Sequence, residues 1–146
     1  MRIFALAGAL LLASAPSFAM TISDVPTLPP ADRAQINGLE RKFFNDIEAN
    51  GVEATMLAQL KSVGSMAALN DEMLAAFKTV DGKCGKLLSV ERYQEEAFGS
   101  HVLRDHLVAV HAGCLVRWDL TFIKPHDVWL VDYFNFHTYE GEQWKR

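Results

Sequence analysis

Leu107–Ile123 reads LVAVHAGCLVRWDLTFI, and the alternation within it decides the fold class. Val108, Val110, Ala112, Cys114, Val116, Trp118, Leu120 and Phe122 occupy every even position, while His111, Arg117, Asp119 and Thr121 fall on odd ones. A period of two is that of an extended strand with one face turned to a core. At ~3.3 Å per residue the stretch would run to roughly 50 Å, too long for a small domain. A bend is therefore expected, with Gly113 as its bulge.

Lys124-Pro125-His126-Asp127 follows as a hairpin turn into Val128–Tyr139, a run rich in aromatic and β-branched residues. Eight of the 15 aromatic residues lie between Trp118 and Trp144, which makes this hairpin the heavy half of the core. Upstream, Lys86–Phe98 fits two periods: Leu88, Val90 and Phe98 suit a strand, and Val90, Tyr93 and Ala97 suit a helix. We read it as a strand.

Before Gly85 the period is helical. Ile36, Leu39, Phe43 and Ile47 recur at spacings of three and four and stop at Asn50-Gly51. A second short helix carries Met56, Leu57, Leu60 and Val63 and ends at Gly64. A third, from about Met66 to Val80, places Leu69, Met73, Leu74 and Phe77 on one stripe and closes at Asp81-Gly82. Amphipathic helices must bury their apolar stripes against a common partner. The expected fold is α+β, with three N-terminal helices packed on a bent antiparallel sheet of three to four strands.

The chain has 146 residues, 50% of them hydrophobic and 22% charged, with a net charge of −4. Residues 1–19 read as a secretory signal peptide: Arg2, the apolar run Ile3–Ala13, then small residues around Ser17-Phe18-Ala19. That run is too short to cross a bilayer core of ~30 Å as a helix. Residues 20–30, with Pro26, Pro29 and Pro30, form an extended lead-in; 31–140 is a single domain; 141–146 is a polar tail. The expected location is periplasmic or secreted, with no membrane contact once the leader is cut. Removing the leader takes Arg2 with it, so the remaining chain is more acidic. Nucleic acid is excluded as a main partner, since phosphate backbones select for an excess of Lys and Arg.

Export also gives the two cysteines a meaning. Cys84 and Cys114 have 29 residues between them and no Cys-x-x-Cys spacing, so a disulfide staple is expected rather than a redox or metal pair. Closing such a loop stabilises a fold by ~3–4 kcal/mol in the chain-entropy model.

Phe77 with the run Gly82-Lys83-Cys84-Gly85-Lys86-Leu87, and the terminal hairpin Trp129-Leu130-Val131-Asp132-Tyr133-Phe134-Asn135-Phe136, carry a resemblance. Together with the order of three helices and then sheet, the stretch Leu69–Thr138 resembles small secreted bacterial domains of unknown function in the nuclear transport factor 2-like, or ketosteroid isomerase-like, superfamily. The resemblance implies a cone with an open pocket between sheet and helices and little about activity. Where members of the superfamily are isomerases, an Asp base works beside Tyr and protonated acid donors. Asp132, Tyr133, His137 and Trp118 are the nearest candidates in residue type here. Asp132 and Tyr133 are neighbours, however, and a regular strand points them to opposite faces.

A hairpin loop of two or four residues pairs Trp129 with Phe122, Val131 with Leu120, Tyr133 with Trp118, Asn135 with Val116 and His137 with Cys114. That register makes Trp118, Tyr133, Asn135 and His137 the candidate pocket. On the other face it sets Asp119 opposite Asp132, with Arg117 two residues away. Like charges directly opposed destabilise a sheet unless a cation or a shared proton intervenes. This acidic pair is either an acid–base or cation site or a solvated face neutralised by Arg117. A loop of odd length would flip one strand and dissolve it.

His101, His106 and His111 recur every five residues, which aligns them on neither a helix nor a strand, so no metal site is expected. The sequence holds no Gly-rich phosphate loop, no Gly-x-Ser-x-Gly and no His-Glu-x-x-His, and no cofactor is expected. The leading reading is an exported, non-catalytic domain that binds a small apolar ligand or a protein, a second copy of the chain included. A small isomerase or hydrolase using Asp, His and Tyr in the pocket is the first alternative, and a secreted enzyme inhibitor the second.

Overall fold

The computed structural model describes residues 28–62, 64 and 69–139. The expected leader, the lead-in up to residue 27, Val63, Met66 and the tail lie outside the described residues. Three helices are followed by four strands: α1 (Pro30–Asn50), α2 (Val52–Ser62), α3 (Asp71–Thr79), β1 (Leu87–Ala97), β2 (Val102–His111), β3 (Leu115–Ile123) and β4 (Leu130–Tyr139). The strands form one antiparallel meander in the order β1-β2-β3-β4, open at both edges. The helices pack on one face of it, as the α+β reading expects.

Pro30 is the first residue of α1 rather than the last of the lead-in, a position where proline's missing N–H costs nothing. Ile36, Phe43, Phe44 and Ile47 turn to the core, and Asp32 and Glu40 are buried with them. The next helix is capped from a distance. Asp81 accepts hydrogen bonds from the backbone of Val52 at 2.6 Å and of Glu53 at 2.9 Å, so a residue 29 positions away serves the orphan donors at the start of α2. Gly51 makes room for it: φ is +84°, and a Cβ there would lie 3.0 Å from the Asp81 carboxylate.

Asn70 caps α3 by accepting from the backbone N–H of Met73 at 2.8 Å. The third helix does not close at Asp81-Gly82. It widens into a π-helical turn, Val80–Cys84, which buries both Val80 and Cys84. Cys84 is bonded there to Cys114, with their Cα atoms 4.9 Å apart.

Lys86–Phe98 is a strand, as read, with register shifts at Leu87/Ser89 and Arg92/Gln94. The long strand expected over Leu107–Ile123 is two strands. Val110 pairs with Leu115, and the N–H of His111 donates to the carbonyl of Cys114 at 2.9 Å, so Ala112 and Gly113 form a two-residue hairpin loop where a bulge was expected. The loop sits against the disulfide: Gly113 donates its N–H to the Cys84 carbonyl at 2.8 Å, and a Cβ on Gly113 would come within 2.7 Å of the Lys83 carbonyl.

This turn changes the parity of the buried positions. In β3 the even residues Val116, Trp118, Leu120 and Phe122 face the helices. In β2 the odd residues Leu103, Asp105, Leu107, Ala109 and His111 do so, which leaves Val108 and Val110 on the outer face. Trp118 sits at the centre of the core. It makes edge-on contacts with Phe43 at 5.4 Å and Phe44 at 6.3 Å, and packs on Phe136 at 5.0 Å.

The β3–β4 connection is also longer than the four residues expected, spanning 124–129, with Trp129 buried just before β4 begins.

Candidate functional site

The register of β3 with β4 differs from the one read in the sequence. Trp118 pairs with Phe136, Asp119 with Asn135, Arg117 with His137 and Thr121 with Tyr133; one step on, Phe122 pairs with Val131. Asp132 is therefore the extra residue of a β-bulge and has no partner across the strand pair. The expected acidic pair does not form. Asp119 faces an amide, which removes the like-charge opposition, and Asp132 instead lines a cleft beside Lys42 and Asp46.

The four-residue pocket does not assemble either. Trp118 and Phe136 point inward, so Tyr133, Asn135 and His137 point outward, because alternate residues of a strand take opposite faces. The last three line a groove of about 480 Å³ along the free edge of β4 against α3. Tyr133 is 55% exposed and His137 is exposed. The isomerase-type constellation of Asp132, Tyr133, His137 and Trp118 is split between two faces and two clefts.

The tertiary structure gathers a different set on the outer face of the sheet. His106 of β2 stands opposite Asp119 of β3, and its Nδ1–H donates to Asp119 Oδ1 at 2.6 Å. The other carboxylate oxygen lies 3.5 Å from Nη2 of Arg117, and Glu96 Oε1 lies 3.5 Å from His106 Nε2. The ring of Tyr93 packs 5.9 Å from the imidazole of His106. Asn135 and His137 continue the row at 3.4 Å from each other. Among the described residues near this contact, the two cysteines are bonded to each other and the Thr121 hydroxyl accepts from Arg104 at 3.4 Å. This set offers charge and ring faces.

A second polar group lies inside, between α1 and the first two strands. Arg92 donates to Asn37 Oδ1 at 3.0 Å and pairs with Glu40, while Arg33 pairs with Glu95. Asp105 is fully buried among them, 3.3 Å from Arg92 Nε and 3.9 Å from Arg33 Nη1. Burial, and then the neighbouring Glu40 carboxyl, push the Asp105 pKa up to about 8. The shift favours the protonated acid at this position, beside the guanidiniums of Arg33 and Arg92 and the carboxylates of Glu40 and Glu95. The sequence carried one signal of this placement: Asp105 shares parity with Leu103 and Leu107.

The largest recess among these, about 700 Å³, lies between α1, α2 and the start of β4. Leu39, Phe43, Ala58 and Val131 give it an apolar lining, and Lys42, Asp46, Gln59 and Asp132 a polar rim. Lys42 and Asp46 hold each other at 2.5 Å. Thr55 also lines it; its hydroxyl is buried and has no hydrogen-bond partner among the described residues.

Among the described residues no group of three His, Cys, Asp or Glu side chains is arranged to hold a metal ion, and no helix is long and apolar enough to cross a membrane. Comparison of the chain with models of protein families, with curated proteins and with solved structures gives no match.

Proposed function

We infer that the chain is an exported, non-catalytic binding domain whose ligand is a small, mainly apolar molecule with one polar end. The observation that carries this reading is the cleft of about 700 Å³ between α1, α2 and the last strand. Clefts of roughly 300–1,000 Å³ with apolar walls and a few polar groups are the usual form of small-molecule sites. Leu39, Phe43 and Val131 supply the walls. The Lys42–Asp46 pair at the rim supplies polar groups to an entering molecule, and the buried Thr55 hydroxyl lies in the wall behind.

Export is supported by the leader pattern at residues 1–19 and by the Cys84–Cys114 disulfide, a bond that persists in oxidising compartments. The separation of Asp132, Tyr133 and His137 favours binding over isomerase chemistry. A catalytic base must come within hydrogen-bond reach of the proton it moves, alongside its donors.

The test is mass spectrometry of small molecules carried through gentle purification of the disulfide-bonded chain, compared with Ala58→Trp, which fills the cleft from its α2 wall. A retained apolar compound that is absent from Ala58→Trp is the expected result. Equal retention by both proteins, or retention of none by either under conditions that preserve the fold, overturns the reading.

A further inference from the structure

We propose that the outer face of the sheet carries a second binding site, separate from the helical cleft, that takes a small aromatic carboxylate. Four strands build it. Tyr93 on β1 and Tyr139 on β4 stand at the sides, Val108 and Leu115 of the two central strands form the floor, and Arg117 reaches in from β3. The recess holds about 190 Å³. An apolar cavity of roughly 150 Å³ takes a benzene ring, so this volume suits one six-membered ring with a single small substituent.

The backbone explains why a tyrosine is available there. Tyr93 sits at the register shift between Arg92 and Gln94, where β1 has one residue more than its partner strand, and bulges of this kind re-aim a side chain. Tyr93 is left 49% exposed. Tyr93 and Tyr139 line the recess on either side of a floor of aliphatic side chains, and aromatic walls of this kind suit a flat apolar body.

Arg117 selects the substituent. A guanidinium offers five N–H donors in a planar fork. Here it has one contact with Asp119, at the outer limit of 3.5 Å, and its Nε donor has no partner among the described residues. Asp119 is engaged more closely by His106 at 2.6 Å, so it leaves donors of Arg117 unused. A carboxylate satisfies two such donors at once in fork geometry. A phosphate, carrying more charge and no ring, would face one guanidinium and apolar walls. The ring and the single negative charge are thus specified by different residues of the same recess.

Benzoate is the probe, titrated into the intact, disulfide-bonded chain and followed by amide chemical shifts. Saturable shifts confined to the neighbourhood of Tyr93, Val108, Leu115, Arg117 and Tyr139 are expected. Benzamide, which lacks the charge, and acetate, which lacks the ring, should each bind at least tenfold more weakly. Arg117→Gln should weaken benzoate at least tenfold, and Ala58→Trp should leave it unchanged, which keeps this site distinct from the helical cleft. Shifts that map to the helical cleft, shifts that do not saturate, or equal affinity for benzoate and benzamide would overturn the proposal. Should Arg117→Gln fail to fold, the wild-type shift map and the three-probe ranking decide it alone.

Discussion

The carboxylate of Asp105 lies 3.3 Å from Nε of Arg92 in the interior between α1 and the first two strands, fully out of contact with solvent. Its pKa is raised from 3.8 to about 8, chiefly by burial. A raised pKa means that the folded state holds the proton more tightly than the unfolded one. This stabilisation is fully present below pH ~4, where both states are protonated, and falls as pH rises until the folded group ionises near 8. The protein should lose stability across that window through this group. Urea unfolding at pH 5, 7 and 9 measures the loss. Asp105→Asn, which cannot ionise, should flatten the profile and be the more stable protein at pH 9; a wild-type midpoint independent of pH contradicts the assignment.

Removing Asp81 should loosen α2 from outside the helix. Asp81→Ala leaves the N–H groups of Val52 and Glu53 without their acceptor, at a cost of about 1–2 kcal/mol. Gly51→Ala should cost about 1 kcal/mol or more, since its φ of +84° is strained for alanine and the added Cβ crowds Asp81. The double variant should cost less than the sum of the two, because both act on the same cap. Thermal unfolding of the three proteins measures the coupling.

Reducing the Cys84–Cys114 bond should lower stability by about 3–4 kcal/mol, read from denaturation with and without reductant. The hairpin loop at Ala112-Gly113 should respond first. Gly113 donates its N–H to the Cys84 carbonyl, and amide exchange at that position reports whether the contact survives. Unchanged stability on reduction would show that the bond constrains nothing the rest of the fold does not.

The two aspartates read in the sequence as a pair should behave differently. Asp119→Asn replaces the charged acceptor of a 2.6 Å bond from His106 with a neutral amide oxygen, both side chains being 14–15% exposed, and should cost about 1–2 kcal/mol. Asp132→Asn changes a residue that sits in a bulge without a cross-strand partner and should stay within about 0.5 kcal/mol of wild type. Stabilisation by both substitutions, as relief of like-charge repulsion would give, would argue for the register in which the two face each other.

Much of this molecule was legible in residue order. The spacing of Ile36, Phe43 and Ile47 marked α1, the stop at Asn50-Gly51 ended it where the structure does, and the two cysteines meet as their number and spacing suggested. Local periodicity suffices for these because each depends on which residues neighbour one another along the chain.

What the tertiary structure decided was parity. Leu107–Ile123 alternates without a break, yet the two-residue turn at Ala112-Gly113 pairs odd positions of β2 with even positions of β3. Val108 and Val110 are apolar and face outward, so hydropathy could not reveal the change, while Asp105 and His111 are polar and face inward. One extra residue at Asp132 then set which side of β4 each of Tyr133, Asn135 and His137 occupies. A strand's side chains repeat every two residues, so a single-residue difference in a loop or bulge exchanges its faces. The sequence by itself determined the helical and strand-forming stretches and their staple; long-range pairing determined where the sheet turns and which side chains share a surface.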